Sequence, residues 1–138
     1  AGKEVTQPKK SIAKALGLTI GRAGVDKALA QLAVLKKDPA YQISARDYYL
    51  LGSELDGKNG LKAASIRIFE AGLADYPDDF RLTYYLAQTL TGSDDTRALE
   101  LYKKCIRLYD GNETNKRFSE EYKKAMAAVN GPKSGAGE

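Results

Sequence analysis

Any chemistry this chain performs is done without histidine or tryptophan and with a single cysteine, Cys105. Ser-His-Asp and Cys-His triads are therefore excluded, and one thiol with no imidazole cannot build a structural zinc site. Cys105 cannot close an internal disulfide, so the fold does not depend on oxidation and the compartment stays open. Within its apolar helical pattern it reads as a packed, inert thiol. The glycines from Gly17 to Gly24 lack the Gly-Lys-Ser/Thr of a phosphate cradle, so no nucleotide, metal or other cofactor is expected. Asn112-Glu113-Thr114 is a glycosylation triplet that matters only in a secreted protein. Recognition chemistry is what remains. Arg46 and Arg81 stand 35 residues apart, and so do Tyr49 and Tyr84. Tyr and Arg are enriched at interface hot spots, and bare aromatic surface marks a binding site.

At 138 residues the chain is one domain by length and long enough to bury a core. No apolar run approaches the roughly 20 residues that span a bilayer. Ala1 stands where an initiator Met is usual, which points to processing and leaves an upstream targeting or anchoring segment open. The net charge of +4 is unevenly spread: residues 1–46 carry 9 basic and 3 acidic groups, residues 47–100 carry 5 and 10, and residues 101–138 carry 8 and 5. An acidic middle between basic ends is unlike the continuous basic stripe of a nucleic-acid binder. It fits complementarity with one particular partner.

Apolar spacing of three and four residues places helices over residues 11–20, 25–37, about 44–56, 61–76, 80–91, 96–109 and 114–129. Ser11, Ser44 or Tyr41, and Asp79 are the expected openings. The stretches 21–24, 57–60 and 92–95 are the expected turns, and Asp38-Pro39 and Tyr76-Pro77 the expected stops. Ile66, Phe69 and Leu73 read as the inward stripe of the fourth helix, and Phe118, Tyr122, Ala125 and Val129 as that of the seventh. Gly17 and Gly72, inside helices, suggest close crossings. Residues 1–10 read as a disordered lead-in, 11–129 as the helical domain and 130–138 as a flexible tail.

The pattern repeats. Leu16-Gly17, Leu51-Gly52 and Leu86-Ala87 are 35 apart, as are Ile20, Leu55 and Leu90, and Ala28, Ala63 and Ala98. Helix pairs of this kind cannot bury their apolar faces alone and must stack. The residues resemble the tetratricopeptide repeat family over about 11–110. The middle unit carries Tyr48, Leu51-Gly52, Leu55, Ser65, Phe69, Gly72-Leu73 and Pro77. The third carries Leu86-Ala87, Leu90, Ala98, Tyr102, Cys105-Ile106 and Leu108, with Asp110 where Pro is usual. The first carries Leu16-Gly17, Ile20, Ala28 and Pro39, with Leu32 in place of the aromatic. The spacing of 35 departs by one residue from the family's usual period of about 34.

The resemblance implies an all-α fold: a right-handed α-solenoid of three helix pairs with the seventh helix as a polar-faced cap. It implies a concave groove lined by the first helix of each pair. Lys14 and Leu18 then face the groove from the first unit, Arg46, Tyr49 and Ser53 from the second, and Arg81, Tyr84, Tyr85 and Gln88 from the third. Of these, Arg46, Tyr49, Ser53, Arg81, Tyr84 and Gln88 form the expected partner-binding set, suited to an extended peptide with acidic groups. Family members that clamp a C-terminal carboxylate share a Lys/Asn, Asn, Lys/Arg set. Lys14 and Arg81 fit it, but Leu18, Leu50 and Tyr85 occupy its other places, so that function is not expected. The function expected is a non-enzymatic interaction module or assembly adaptor for another protein or peptide. The runner-up is an accessory subunit whose basic ends touch membrane lipid or nucleic acid.

Overall fold

The computed structural model describes residues 12–41, 43–57 and 60–131. Its elements are all helical: α1 (Ile12–Ala23), α2 (Val25–Leu35), α3 (Ala45–Asp56), α4 (Lys62–Asp75), α5 (Phe80–Leu90), α6 (Asp95–Gly111), a 3₁₀ segment (Glu113–Phe118) and α7 (Ser119–Asn130). The expected lead-in over 1–10, the Ser11 cap, the turn marker Asn59 and the tail from 132 onward lie outside the described residues.

Local chemistry explains most of the helix ends. Ser44 opens α3 through a capping box: its backbone N–H donates to the Asp47 carboxylate at 2.8 Å, which satisfies an amide the helix leaves orphaned. Asp79 accepts from the Leu82 N–H at 2.9 Å to cap α5, and Asp94 accepts from the Arg97 N–H at 3.2 Å to cap α6. The first break falls later than the sequence suggests. α1 runs through Gly21 to Ala23 and the chain turns at Gly24, whose φ of 94° is a left-handed value that favours glycine. The seventh helix also differs, since residues 113–118 wind as 3₁₀ before α7 begins. Asn112 starts that segment by accepting from the Thr114 N–H at 3.0 Å.

α1 packs on α2, α3 on α4, α5 on α6 and α6 on α7; α1 also meets α3, α2 meets α4, and α5 meets both α3 and α4. One continuous core results. Leu16, Leu51 and Leu86 are buried at matching positions of α1, α3 and α5, as are Ile20, Leu55 and Leu90. In the second helices the matching buried residues are Ala28, Ser65 and Ala98, followed by Leu32, Phe69 and Tyr102. Ala63 is exposed. Leu51 and Ser65 are 14 positions apart, against 12 from Leu16 to Ala28 and from Leu86 to Ala98, so Ser65 rather than Ala63 falls at the buried position. Its Oγ donates to the Gly52 carbonyl at 2.7 Å. The buried stripe of α4 is Ala64, Ser65, Ile68, Phe69 and Gly72, whereas Ile66 and Leu73 are only partly covered.

Two glycines mark true close approaches. A Cβ on Gly52 would sit 2.5 Å from the Phe69 ring, and one on Gly72 would sit 2.8 Å from Tyr48 Cβ and 2.9 Å from Leu82 Cδ1. Gly17 is not of this kind, because a Cβ there would meet Leu51 Cδ1 at an ordinary 3.8 Å. Polar ties hold α2, α3 and α4 together where the connection before α3 is long. The Tyr48 hydroxyl donates to Asp75 at 2.5 Å, Lys36 Nζ reaches the same carboxylate at 2.9 Å, and the Tyr76 hydroxyl donates to the Ile43 carbonyl at 2.7 Å.

Candidate functional site

The start of α3, the start of α5 and the end of the 3₁₀ segment converge on an open cleft of about 220 Å³. α3 contributes Arg46 and Tyr49, α5 contributes Arg81 from just beyond its Asp79 cap, and the 3₁₀ segment contributes Arg117 and Phe118. The helical turn accounts for the pairing on α3: positions 46 and 49 are three apart and share a face. Phe118 is fixed from below, its ring stacked on Phe80 at 5.0 Å.

Arg81 and Arg117 lie against rings rather than carboxylates. The Arg81 guanidinium carbon lies 4.8 Å from the centre of the Tyr49 ring and 5.0 Å from that of Phe118. The Arg117 carbon lies 4.7 Å from Phe118. A guanidinium attracted to the face of a ring need not spend its N–H donors on a hydrogen bond. Among the described residues, no ion pair or hydrogen bond engages the side chains of Arg46, Arg81 or Arg117. Arg67 and Arg97 differ, being paired to Asp26 at 2.9 Å and Glu70 at 2.6 Å. The one acid lining the cleft, Asp79, accepts the Leu82 amide at the positive end of α5.

Next to the cleft, Tyr49 and Tyr85 meet at 4.9 Å between ring centres. Burial pushes the Tyr85 phenol up to about 12, helped by its hydrogen bond with Tyr49 and by the charges of Tyr49 and Glu121, while Arg81 pulls the other way. The Tyr84 phenol is also raised to about 12, by burial first and then by Tyr102, Tyr85, Glu121 and Cys105. Both phenols are thus neutral hydrogen-bonding groups near pH 7, and neither is poised as a general base.

The structure divides the expected binding residues. Arg46, Tyr49 and Arg81 come together. Tyr84 does not join them: it is 3% exposed, enclosed by the rings of Phe80, Tyr85 and Tyr102. Tyr85, half-buried one position on, carries the aromatic surface beside Tyr49. Ser53 is half-buried one turn beyond Tyr49, and its Oγ is shielded with no hydrogen-bond partner. Gln88 is exposed near the end of α5. Arg117 and Phe118 were not among the expected residues, although a signal for them exists. The step of 35 from Arg46 to Arg81 lands next on Lys116, beside Arg117. Lys116 itself turns away, its Nζ donating to the Tyr109 carbonyl at 2.6 Å.

Larger clefts are less suited to a ligand. One of about 290 Å³ beside Asp75 and Tyr76 has its charges paired, Lys36 with Asp75. Another, of about 360 Å³, lies between α6 and α7, and its one carboxylate, Asp95, accepts the Gly92 N–H. Cys105 is buried, with its thiol pushed up to about 12 by that burial. Among the described residues no three acidic or thiol groups cluster as a metal site, and no helix is long and apolar enough to cross a membrane. No family model, curated protein or solved structure matches the chain.

Proposed function

We propose that this chain is a non-enzymatic protein-interaction module, an assembly adaptor that binds a segment of another protein along one face of α1, α3 and α5. In this reading it is a right-handed α-solenoid of three tetratricopeptide-like helix pairs, closed by α7. Several packing features support the architecture. α1, α3 and α5 follow one another in contact, as do α2 and α4. The small residues Gly52, Ser65 and Gly72 sit where helices approach most closely.

The observation that carries the functional reading is the state of Arg81. Its guanidinium lies over the Tyr49 ring and near Phe118, at the wall of an open cleft, with its donors unspent. Such a group is arranged to recognise, and the one carboxylate in the same cleft, Asp79, is engaged in capping α5. Rigid aromatic surface with Arg at its centre is the composition of an interface hot spot. The acidic groups expected on the ligand follow from three arginines against one occupied carboxylate.

The test is affinity capture from the native source with wild type and a Tyr49→Ser/Tyr85→Ser double variant. Circular dichroism should show the double variant folded, and the partner set held by wild type should drop out. A folded double variant that keeps every partner would overturn the groove reading.

A further inference from the structure

The Arg46–Arg81–Arg117 cleft can be read more narrowly than as a site for acidic groups in general. We infer that it receives a phosphorylated side chain of the partner protein, with the phosphate dianion held by the three guanidiniums and the adjoining chain lying over Tyr49 and Tyr85. This inference rests on the groove reading above and adds the chemistry of the ligand.

Charge and valence favour phosphate over carboxylate. A carboxylate has one charge and two oxygens, and a single guanidinium fork neutralises that charge and engages both oxygens. Here three forks surround one cleft, and its single acid is occupied at the α5 terminus. A phosphate monoester brings close to two charges and three strong acceptor oxygens at neutral pH, matching three donors from three different elements. Preorganisation points the same way. Ring contacts already hold Arg81 and Arg117, so less side-chain freedom is lost when their edges bind an anion. Room is adequate: 220 Å³ is roughly seven times the volume a water occupies in the liquid, enough for a phosphate group and the stem that carries it.

A protein source is favoured over a lipid one by the acidic residues that flank the α3 and α5 arginines in sequence. Residues 47–100 carry 10 acidic groups and 5 basic ones, and Asp47, Asp78 and Asp79 lie close in sequence to the arginines of α3 and α5. An anionic membrane attracts broad basic surface and would be repelled by this one. A phosphate on a narrow peptide can reach the arginines while facing only Asp79, whose carboxylate already accepts the Leu82 N–H.

The experiment presents full-length protein with a degenerate library of phosphoserine, phosphothreonine and phosphotyrosine peptides on beads, the same library after phosphatase treatment, and phosphatidylcholine vesicles containing 5% phosphatidylinositol phosphate. Selected peptides are then titrated by fluorescence anisotropy against wild type, Arg46→Gln and Arg117→Gln, each checked for an unchanged melting temperature. Both variants alter exposed side chains. The expected result is at least tenfold preference for the phosphorylated library and at least a fivefold loss with either variant. Equal retention of both libraries, still abolished by Tyr49→Ser/Tyr85→Ser, would sink the phosphate assignment and leave the groove standing. Vesicle binding without phosphopeptide binding overturns it in favour of lipid. Retention of neither library overturns it as well, and the capture experiment then decides the groove separately.

Discussion

Replacing Gly72 by alanine tests a close helix contact that has little room to relax. On an open helix face such a change gains up to about 1 kcal/mol, because glycine is the poorer helix former. At Gly72 the new Cβ would lie 2.8 Å from Tyr48 Cβ and 2.9 Å from Leu82 Cδ1. Leu82 can rotate its methyl aside. Tyr48 cannot follow, because its Cβ is fixed to the α3 backbone, its ring is fully buried and its hydroxyl is bound to Asp75. Overpacking of this sort costs about 1–3 kcal/mol. With the contact made to a Cβ, the upper end applies, leaving a net loss of about 2 kcal/mol after the helix gain. Gly17→Ala is the internal control, since its Cβ would find Leu51 Cδ1 at a comfortable 3.8 Å and only the gain remains. For a domain of this size a kcal/mol moves Tm by roughly 3–5 °C. Thermal melts followed by circular dichroism should therefore show Gly72→Ala about 6–10 °C below wild type and Gly17→Ala about 3–5 °C above it. A Gly72→Ala protein as stable as wild type would mean that α3 and α4 do not cross as closely as described.

Tyr48→Phe removes the phenol–carboxylate bond to Asp75 and should cost about 1.5 kcal/mol in urea unfolding, the low end for a charged partner because Asp75 is partly solvated. The same change bears on pH. Burial alone would raise the Asp75 carboxyl, but the Tyr48 hydrogen bond and Lys36 outweigh it and hold the group below its usual range. Its contribution to stability is then complete above the ordinary aspartate range and disappears as pH falls through the lowered folded value. Urea melts at stepwise acid pH should show Lys36→Met with a shallower acid loss than wild type, and an unchanged slope would count against the pairing. Cys105, buried and with its thiol pushed up to about 12, should stay silent toward a thiol reagent at pH 8 in the native protein. In denaturant it should react to a full equivalent.

Helix number and order were legible because strong apolar spacing and a few caps agree with one another: Ser44 with Asp47, Asp79 with Leu82, and Gly24 at a left-handed turn. α4 was harder. Its sequence is apolar on several sides, so spacing alone could not choose between Ile66 and Ile68, and contact with α3 and α5 made the choice. The step of 35 lands on Ala63, whereas the family pattern points to Ser65: a constant step cannot see that the buried small residue lies 14 positions after Leu51 rather than 12. The binding residues were half legible. Arg46, Tyr49 and Arg81 stand out by type and period. Tyr84 carries the same signal, yet it lies on a helix that is buried at eight of its eleven positions. Aromatic neighbours from α6 enclose it, and the exposed role passes to Tyr85. Arg117 and Phe118 belong to a segment whose placement depends on how α6 ends, which the local sequence does not reveal.

The order in which the helices touch has a consequence for motion. Their main contacts join elements one or two steps apart in the chain, and none of these reaches from α1 or α2 to α6 or α7. Such a topology closes only short loops, so the chain should fold quickly for its length. It should also open in pieces, with amide exchange at the two ends running ahead of exchange at the middle. The α1–α2 hairpin can detach while α3, α4, α5 and α6 stay packed. The three arginines would then keep their geometry in a protein whose first hairpin has momentarily let go, and capture of a ligand need not wait for the whole chain to be closed.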